Sequence, residues 1–243
     1  MVLPFKIPPL PRILAENRAL IAGCLPSGGS RYDSTIWTRR FPGDPDLATI
    51  KLFPSPITRD HVASLCSGLD LNIRRVFLAS MIWGYVEVGY GPYRTEKGLK
   101  SPDAISVLQS AAVSVASGRI RHAYETINKK ISWCGPAFFT KFLYFIGLGV
   151  KINPLPVILD TQVAGALEKL GKDENWDFNV FTNVSRKRKK KNEIGSVKPY
   201  AEGYIRYVDT LHEWTKELGC PRADYIECFL FNLNQGRLDS WRP

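Results

Sequence analysis

Between Thr58 and Ile127 apolar residues return at three- and four-residue spacing: Val62, Leu65 and Cys66, then Val76 to Val88, Ala104 to Ala116 and Ile120 to Ile127. That period belongs to helices with one buried face, so the body of the chain reads as helical. A helix of large apolar residues starts at Ala137 and ends near Gly147, and after the extended segment Pro154 to Leu159 another runs from Thr161 to Leu170. Residues 171–199 are polar and irregular, and two helices close the chain, Tyr200 to Leu218 and Arg222 to Leu233. Gly219 stops the first of these, with Pro221 just beyond it. At the other end, residues 1–30 alternate Pro-rich segments with a short helical pattern from Arg12 to Ala22, which suits a wrapping arm. The runs STIWTRRF and LATIKLF are rich in β-branched and aromatic residues and flank Pro42-Gly-Asp-Pro-Asp46, which predicts a small N-terminal β-hairpin. The expected fold class is therefore mainly α with that one hairpin.

Composition narrows the partner. The 243 residues are 44% hydrophobic, enough for a sizeable core, and carry a formal net charge of +10. A pI near 9.4 favours a polyanion. The longest apolar runs fall short of a membrane span, and prolines interrupt the N-terminal segment where a signal sequence would need an apolar stretch, so a non-secreted protein, cytoplasmic or nuclear and without a membrane, is expected. Five cysteines (Cys24, Cys66, Cys134, Cys220, Cys228) are scattered without a C-x-x-C pair, and there are three histidines. This pattern fits neither a disulfide framework nor a zinc or iron-sulfur site, and no cofactor is expected.

Two stretches carry chemistry. Trp133-Cys-Gly-Pro136 forms a tight turn between a helix ending around Ile127 to Ser132 and the one starting at Ala137, a helix-hairpin-helix. Such a turn points backbone N–H groups and the positive end of a helix dipole at a phosphate oxygen, whatever the base. The second stretch is Arg186-Lys-Arg-Lys-Lys-Lys191, six positive charges that cannot pack on their own and so form an exposed loop. Arg186, Lys187, Arg188 and Lys189 are candidate phosphate contacts. A solvated or nuclear-targeting-like run is the other reading.

The order of hairpin, apolar helix, extended link and Asp160-Thr-Gln-Val-Ala resembles the helix-hairpin-helix DNA glycosylases, and most of all their 8-oxoguanine branch. In that superfamily the hairpin reads L-P-G-V-G and the later run ends in V-D-T-H or V-D-V-H. Here Gly135-Pro-Ala137 matches the second half of the hairpin and Ile158-Leu-Asp-Thr161 the aspartate segment, while the likeness as a whole spans about residues 60–243. The resemblance implies a two-lobed fold: an arm and hairpin over 1–60 packing with the C-terminal lobe, a helical barrel over 61–152, and a C-terminal helical lobe over 153–243 carrying the catalytic Asp. It implies a DNA N-glycosylase, acting as a monomer on duplex DNA that holds a damaged or modified base, with Trp133, Gly135 and Ala137 at the backbone.

For Asp160 the resemblance implies a carboxylate that stabilises the cationic sugar formed as the N-glycosidic bond breaks; a plain helix N-cap is the alternative. Lysine-bearing members place their amine where this chain has Ala137, which favours monofunctional hydrolysis. Lys141, nineteen residues before Asp160, is the alternative nucleophile, against a lysine whose stem packs on its helix with its head in water. The base-binding Gln and Phe of the branch match Glu227 and Phe231. A carboxylate offers only acceptors, which suits guanine N1–H and N2–H or the N4 amine of a cytosine, including an enlarged cytosine such as a virus carries. The aromatic, Gly-rich segment Met81 to Tyr93 is a further candidate wall. Two other classes compete: a non-catalytic hairpin module, which would lack the Asp, and a basic RNA-binding helical protein, which would release no base.

Overall fold

The computed structural model describes residues 5–23, 29–67, 71–86, 89–177, 181, 184–187, 193–198 and 200–237. Among these the chain is mainly α-helical, with one two-stranded antiparallel sheet. It divides into two compact units, Ser27–Pro156 and Met1–Pro26 with Val157–Pro243. Residues 27–60, grouped with the C-terminal lobe in the sequence reading, cluster instead with 61–156.

The unit Ser27–Pro156 contains α3 (Ser34–Arg40), α4 (Pro45–Ile50), α5 (Arg59–Ser64), α6 (Ile73–Tyr85), α7 (Gly91–Leu99), α8 (Ala104–Ala116), α9 (Ile120–Ile127) and α10 (Pro136–Gly149). Helix α10 is apolar nearly all round, and Phe139 to Gly147 are buried without a break, as expected of a helix enclosed by others. It packs against α5, α6, α8 and α9. Aromatic edges lock the contacts: Phe77 on Phe142 at 5.9 Å and Tyr124 on Phe139 at 4.8 Å between ring centroids.

The predicted N-terminal β-hairpin is not formed; both runs are helices. Asp33 caps α3 by accepting from Thr35 N at 2.8 Å and Ile36 N at 3.3 Å, and Asp44 caps α4 by accepting from Asp46 N and Leu47 N, both at 3.0 Å, with Pro45 at the first helical position. Caps of this kind contribute about 1 kcal/mol each, which matches the spread of β-propensities that the aromatic and branched residues suggested. Tertiary contacts add to them, since Arg74 of α6 pairs with both Asp44 and Asp46.

The other unit contains α1 (Arg12–Glu16), α2 (Arg18–Gly23), α11 (Thr161–Asp173), β1 (Val184–Arg186), β2 (Ile194–Val197), α12 (Ala201–Leu218) and α13 (Ala223–Gln235). Helix α13 packs against α2, α11 and α12. The N-terminal arm is tied to α12, because Trp214 Nε1 donates to Pro8 O at 3.0 Å and Arg18 Nε to Leu218 O at 2.6 Å. The sheet lies in the segment 171–199 read as irregular. Its register pairs Val184 with Val197, Ser185 with Ser196 and Arg186 with Ile194, with an irregularity after Ser185. Two strands this short show no period of their own, so the sequence does not reveal them.

No described helix is long and apolar enough to cross a membrane. Among the described residues no three His, Cys, Asp or Glu side chains group as a metal site. Cys66, Cys134, Cys220 and Cys228 are free thiols, the first three buried.

Candidate catalytic and DNA-contact residues

The hairpin turn is built from Cys134, which donates its N–H to Ile131 O at 3.3 Å, and Gly135, whose carbonyl accepts from Phe138 N at 2.8 Å and Phe139 N at 3.0 Å. Gly135 is the N-cap of α10 and Pro136 its first helical residue. Among the described residues no partner accepts from the N–H of Gly135 or of Ala137. These two donors therefore stand at the positive end of a 14-residue helix, an arrangement that suits an anion. Gly135 itself is exposed in ordinary extended geometry (φ −76°, ψ 179°), and a Cβ built there meets nothing within 4 Å. The fold does not need glycine here; its effect is to keep the outer side of the turn clear. Trp133, beside it, is 57% exposed in a left-handed conformation (φ 61°).

Lys141 contradicts the reading of a surface lysine. It lies one turn into α10, is 5% exposed, and donates from Nζ to Ala137 O at 2.7 Å. Its amine is thus one hydrogen bond from the residue at which the lysine-bearing pattern expects a lysine. The Phe138 ring lies 5.6 Å from Nζ, stacked in turn on Tyr85 at 4.2 Å. Gly84 of α6 faces the stem, since a Cβ there would come 2.7 Å from Lys141 Cδ. Close by, burial pushes the Cys134 thiol up to about 12, with the Lys141 charge pulling it the other way. Gly84 escaped the sequence reading because a lone glycine in a helical pattern carries no mark of what it faces.

Asp160 is the N-cap of α11, and its Oδ1 accepts from Gln162 N at 2.9 Å and Val163 N at 3.1 Å. The residue is half-buried, with Val157, Ile158 and Leu159 fully buried before it. Two buried tyrosines of α12 hold that approach: Tyr204 donates from its hydroxyl to Val157 O at 3.0 Å and Tyr207 to Ile158 O at 2.7 Å. A buried tyrosine hydroxyl needs an acceptor, so the Tyr-x-x-Tyr pair on the apolar face of α12 was the available signal for a pinned segment elsewhere. Further along, Asn234 Nδ2 donates to Gln162 Oε1 at 2.7 Å and joins α13 to α11.

On α13, Glu227 is 1% exposed and Phe231 half-buried. Of the basic run, Arg186 ends β1 and Lys187 follows it. Arg186 is bound to the α11 carboxylate of Glu168, Nη1 to Oε2 at 2.7 Å, and Lys187 pairs with Glu193 across the hairpin. Hydrogen bonding from Arg186 holds the Glu168 carboxyl below its usual range against the opposing effect of burial. Arg188 and Lys189, with the rest of the run to Asn192, lie outside the described residues.

No curated protein and no solved structure matches the chain. The sequence model of the family described as "Putative 8-oxoguanine DNA glycosylase OGG-like protein" matches residues 25–231, which take in the hairpin, Lys141, Asp160, Glu227 and Phe231. The chain belongs to this OGG-like family.

Proposed function

We propose that the protein excises a damaged or modified base from duplex DNA, with Asp160 and Lys141 as its catalytic residues. The burial of Lys141 carries this reading. Lysine is rarely enclosed in a folded protein, and here a glycine of α6, an aromatic pair and the Ala137 carbonyl surround it. Such an enclosed amine suits nucleophilic attack. As the C1′–N bond breaks, its electron pair leaves with the base, which takes up a proton. The Lys141 nitrogen then bonds to C1′ through its lone pair; one of its protons passes to water and another to the ring oxygen O4′ as the C1′–O4′ bond breaks, which gives an imine. Asp160 stabilises the positive charge that develops on the sugar.

The hairpin amides of Gly135 and Ala137 hold the phosphate backbone, and the basic run from Arg186 adds sequence-independent attraction. Phe231 stacks on the extruded base, and Glu227, as a carboxylate, accepts from its N–H groups. An oxidised guanine fits those acceptors, as does the N4 amine of an enlarged cytosine. Monofunctional hydrolysis, in which Asp160 activates water, is the second reading, supported by Ala137 at the expected lysine position.

The test is incubation with duplexes carrying 8-oxoguanine or 5-substituted cytosines, with free base read by mass spectrometry and covalent adducts by borohydride trapping. Base release with an adduct that Lys141→Gln abolishes is the expected result. Release without an adduct selects hydrolysis, and no release from any duplex refutes the glycosylase reading.

A further inference from the structure

Three of the most exposed large side chains of the unit Ser27–Pro156 lie together: Tyr90 at 53%, Tyr93 at 43% and Trp133 at 57% exposure. Tyr93 and Trp133 are edge to face, their centroids 6.5 Å apart. Cations are interleaved with the rings. The Arg94 guanidinium lies 4.2 Å from the Tyr90 centroid and 5.4 Å from that of Trp133, while Arg40 and Lys97 lie 5.0 and 5.7 Å from Tyr93.

One of these cations, Arg40, is anchored by pairing with Glu96. Trp133 moreover holds a left-handed backbone, which is costly for a bulky residue and gains no burial in return. An exposed set of rings faced by fixed positive charge is unsuited to solvent and complementary to a ligand that is both planar and anionic. Unpaired nucleotides have that chemistry: each base offers a ring face and each phosphate a charge. A base-paired helix buries its ring faces in its own stack.

We infer that Tyr90, Tyr93, Trp133, Arg40, Arg94 and Lys97 form a stacking platform for an unpaired segment of a DNA strand. The surface is separate in kind from the hairpin amides, which meet phosphate alone. It does not depend on the excision chemistry, because neither strand used to test it carries a damaged or modified base.

The experiment compares binding of an oligothymidylate with binding of a fully abasic oligonucleotide of equal length and charge, by fluorescence anisotropy of a terminal dye. The intact chain should prefer thymidylate by about tenfold, as expected when stacking onto a ring is added to phosphate contact. The double variant Tyr90→Ala/Tyr93→Ala should lose that preference while keeping its affinity for the abasic strand. Equal binding of both strands by the intact chain overturns the inference, as does a preference that survives the double variant. Should the variant not fold, photo-cross-linking of the intact chain to a strand carrying 5-iodouracil decides. Adducts on Tyr90, Tyr93 or Trp133 support the platform, and adducts confined to other residues, or none, overturn it.

Discussion

Replacing Asp160 by asparagine and, separately, by alanine divides the charge of the carboxylate from its work as a helix cap. Oδ1 accepts two backbone hydrogen bonds at 2.9 and 3.1 Å, and an asparagine oxygen can accept both. Asp160→Asn therefore keeps the cap and loses the attraction between a negative charge and the α11 dipole, about 0.5 kcal/mol. Asp160→Ala leaves both amides without the cap and costs about 1 kcal/mol, a drop of roughly 2–4 °C in the thermal midpoint for a chain of this size. Catalysis should not follow the same order. Either substitution removes the charge that stabilises the cationic sugar, which costs on the order of 3 kcal/mol or more and slows base release at least about a hundredfold. The assay pairs thermal unfolding with single-turnover release of free base from the duplex that the intact protein cleaves. Asparagine at near-native stability and alanine below it, with both inactive, is the expected outcome. An asparagine variant that releases base at the unaltered rate would reduce Asp160 to a cap and refute the proposed mechanism.

Gly135→Ala should fold with an unchanged midpoint, because its Cβ meets nothing within 4 Å, yet bind duplex DNA several-fold less tightly in a gel-shift titration as the methyl intrudes where phosphate approaches; unaltered affinity would show that the turn does not touch DNA. Gly84→Ala should be no less stable, since alanine gains up to about 1 kcal/mol in a helix, while its Cβ displaces the flexible Lys141 stem and lowers the yield of borohydride-trapped adduct. A full adduct yield in that variant would mean that the position of the amine does not depend on Gly84. Glu168 has its carboxyl lowered in the fold, chiefly by hydrogen bonding from Arg186, so the pair stabilises the protein above the unfolded carboxyl value of about 4.3 and loses that contribution as pH falls through the lower folded value. Thermal midpoints of the intact chain and Glu168→Gln should differ at pH 7 and converge below about pH 4; parallel curves across that range would remove the ion pair from the account.

The helical period from Val62 to Ile127, the Gly135-Pro136 turn and Asp160 at the head of α11 were all legible in the sequence, because each is a local pattern whose physics acts within a few residues. The nineteen-residue interval from Lys141 to Asp160 was legible too, though not what it meant for Lys141. Periodicity marks which face of a helix is buried without saying against what. The enclosure of Lys141 depends on Gly84, fifty-seven residues earlier, and the chain leading to Asp160 is held by Tyr204 and Tyr207 from α12. The runs that looked like strands became α3 and α4 because Asp33 and Asp44 cap them and Arg74 binds the second cap, whereas the strands that do form are too short for a pattern and exist through their pairing. The exposed rings of Tyr90, Tyr93 and Trp133 likewise come from separate stretches of sequence, with Arg40 from a third. Local rules set the elements and their caps, while contacts between residues distant in the chain decided which side chains are enclosed, which are pinned and which face outward together.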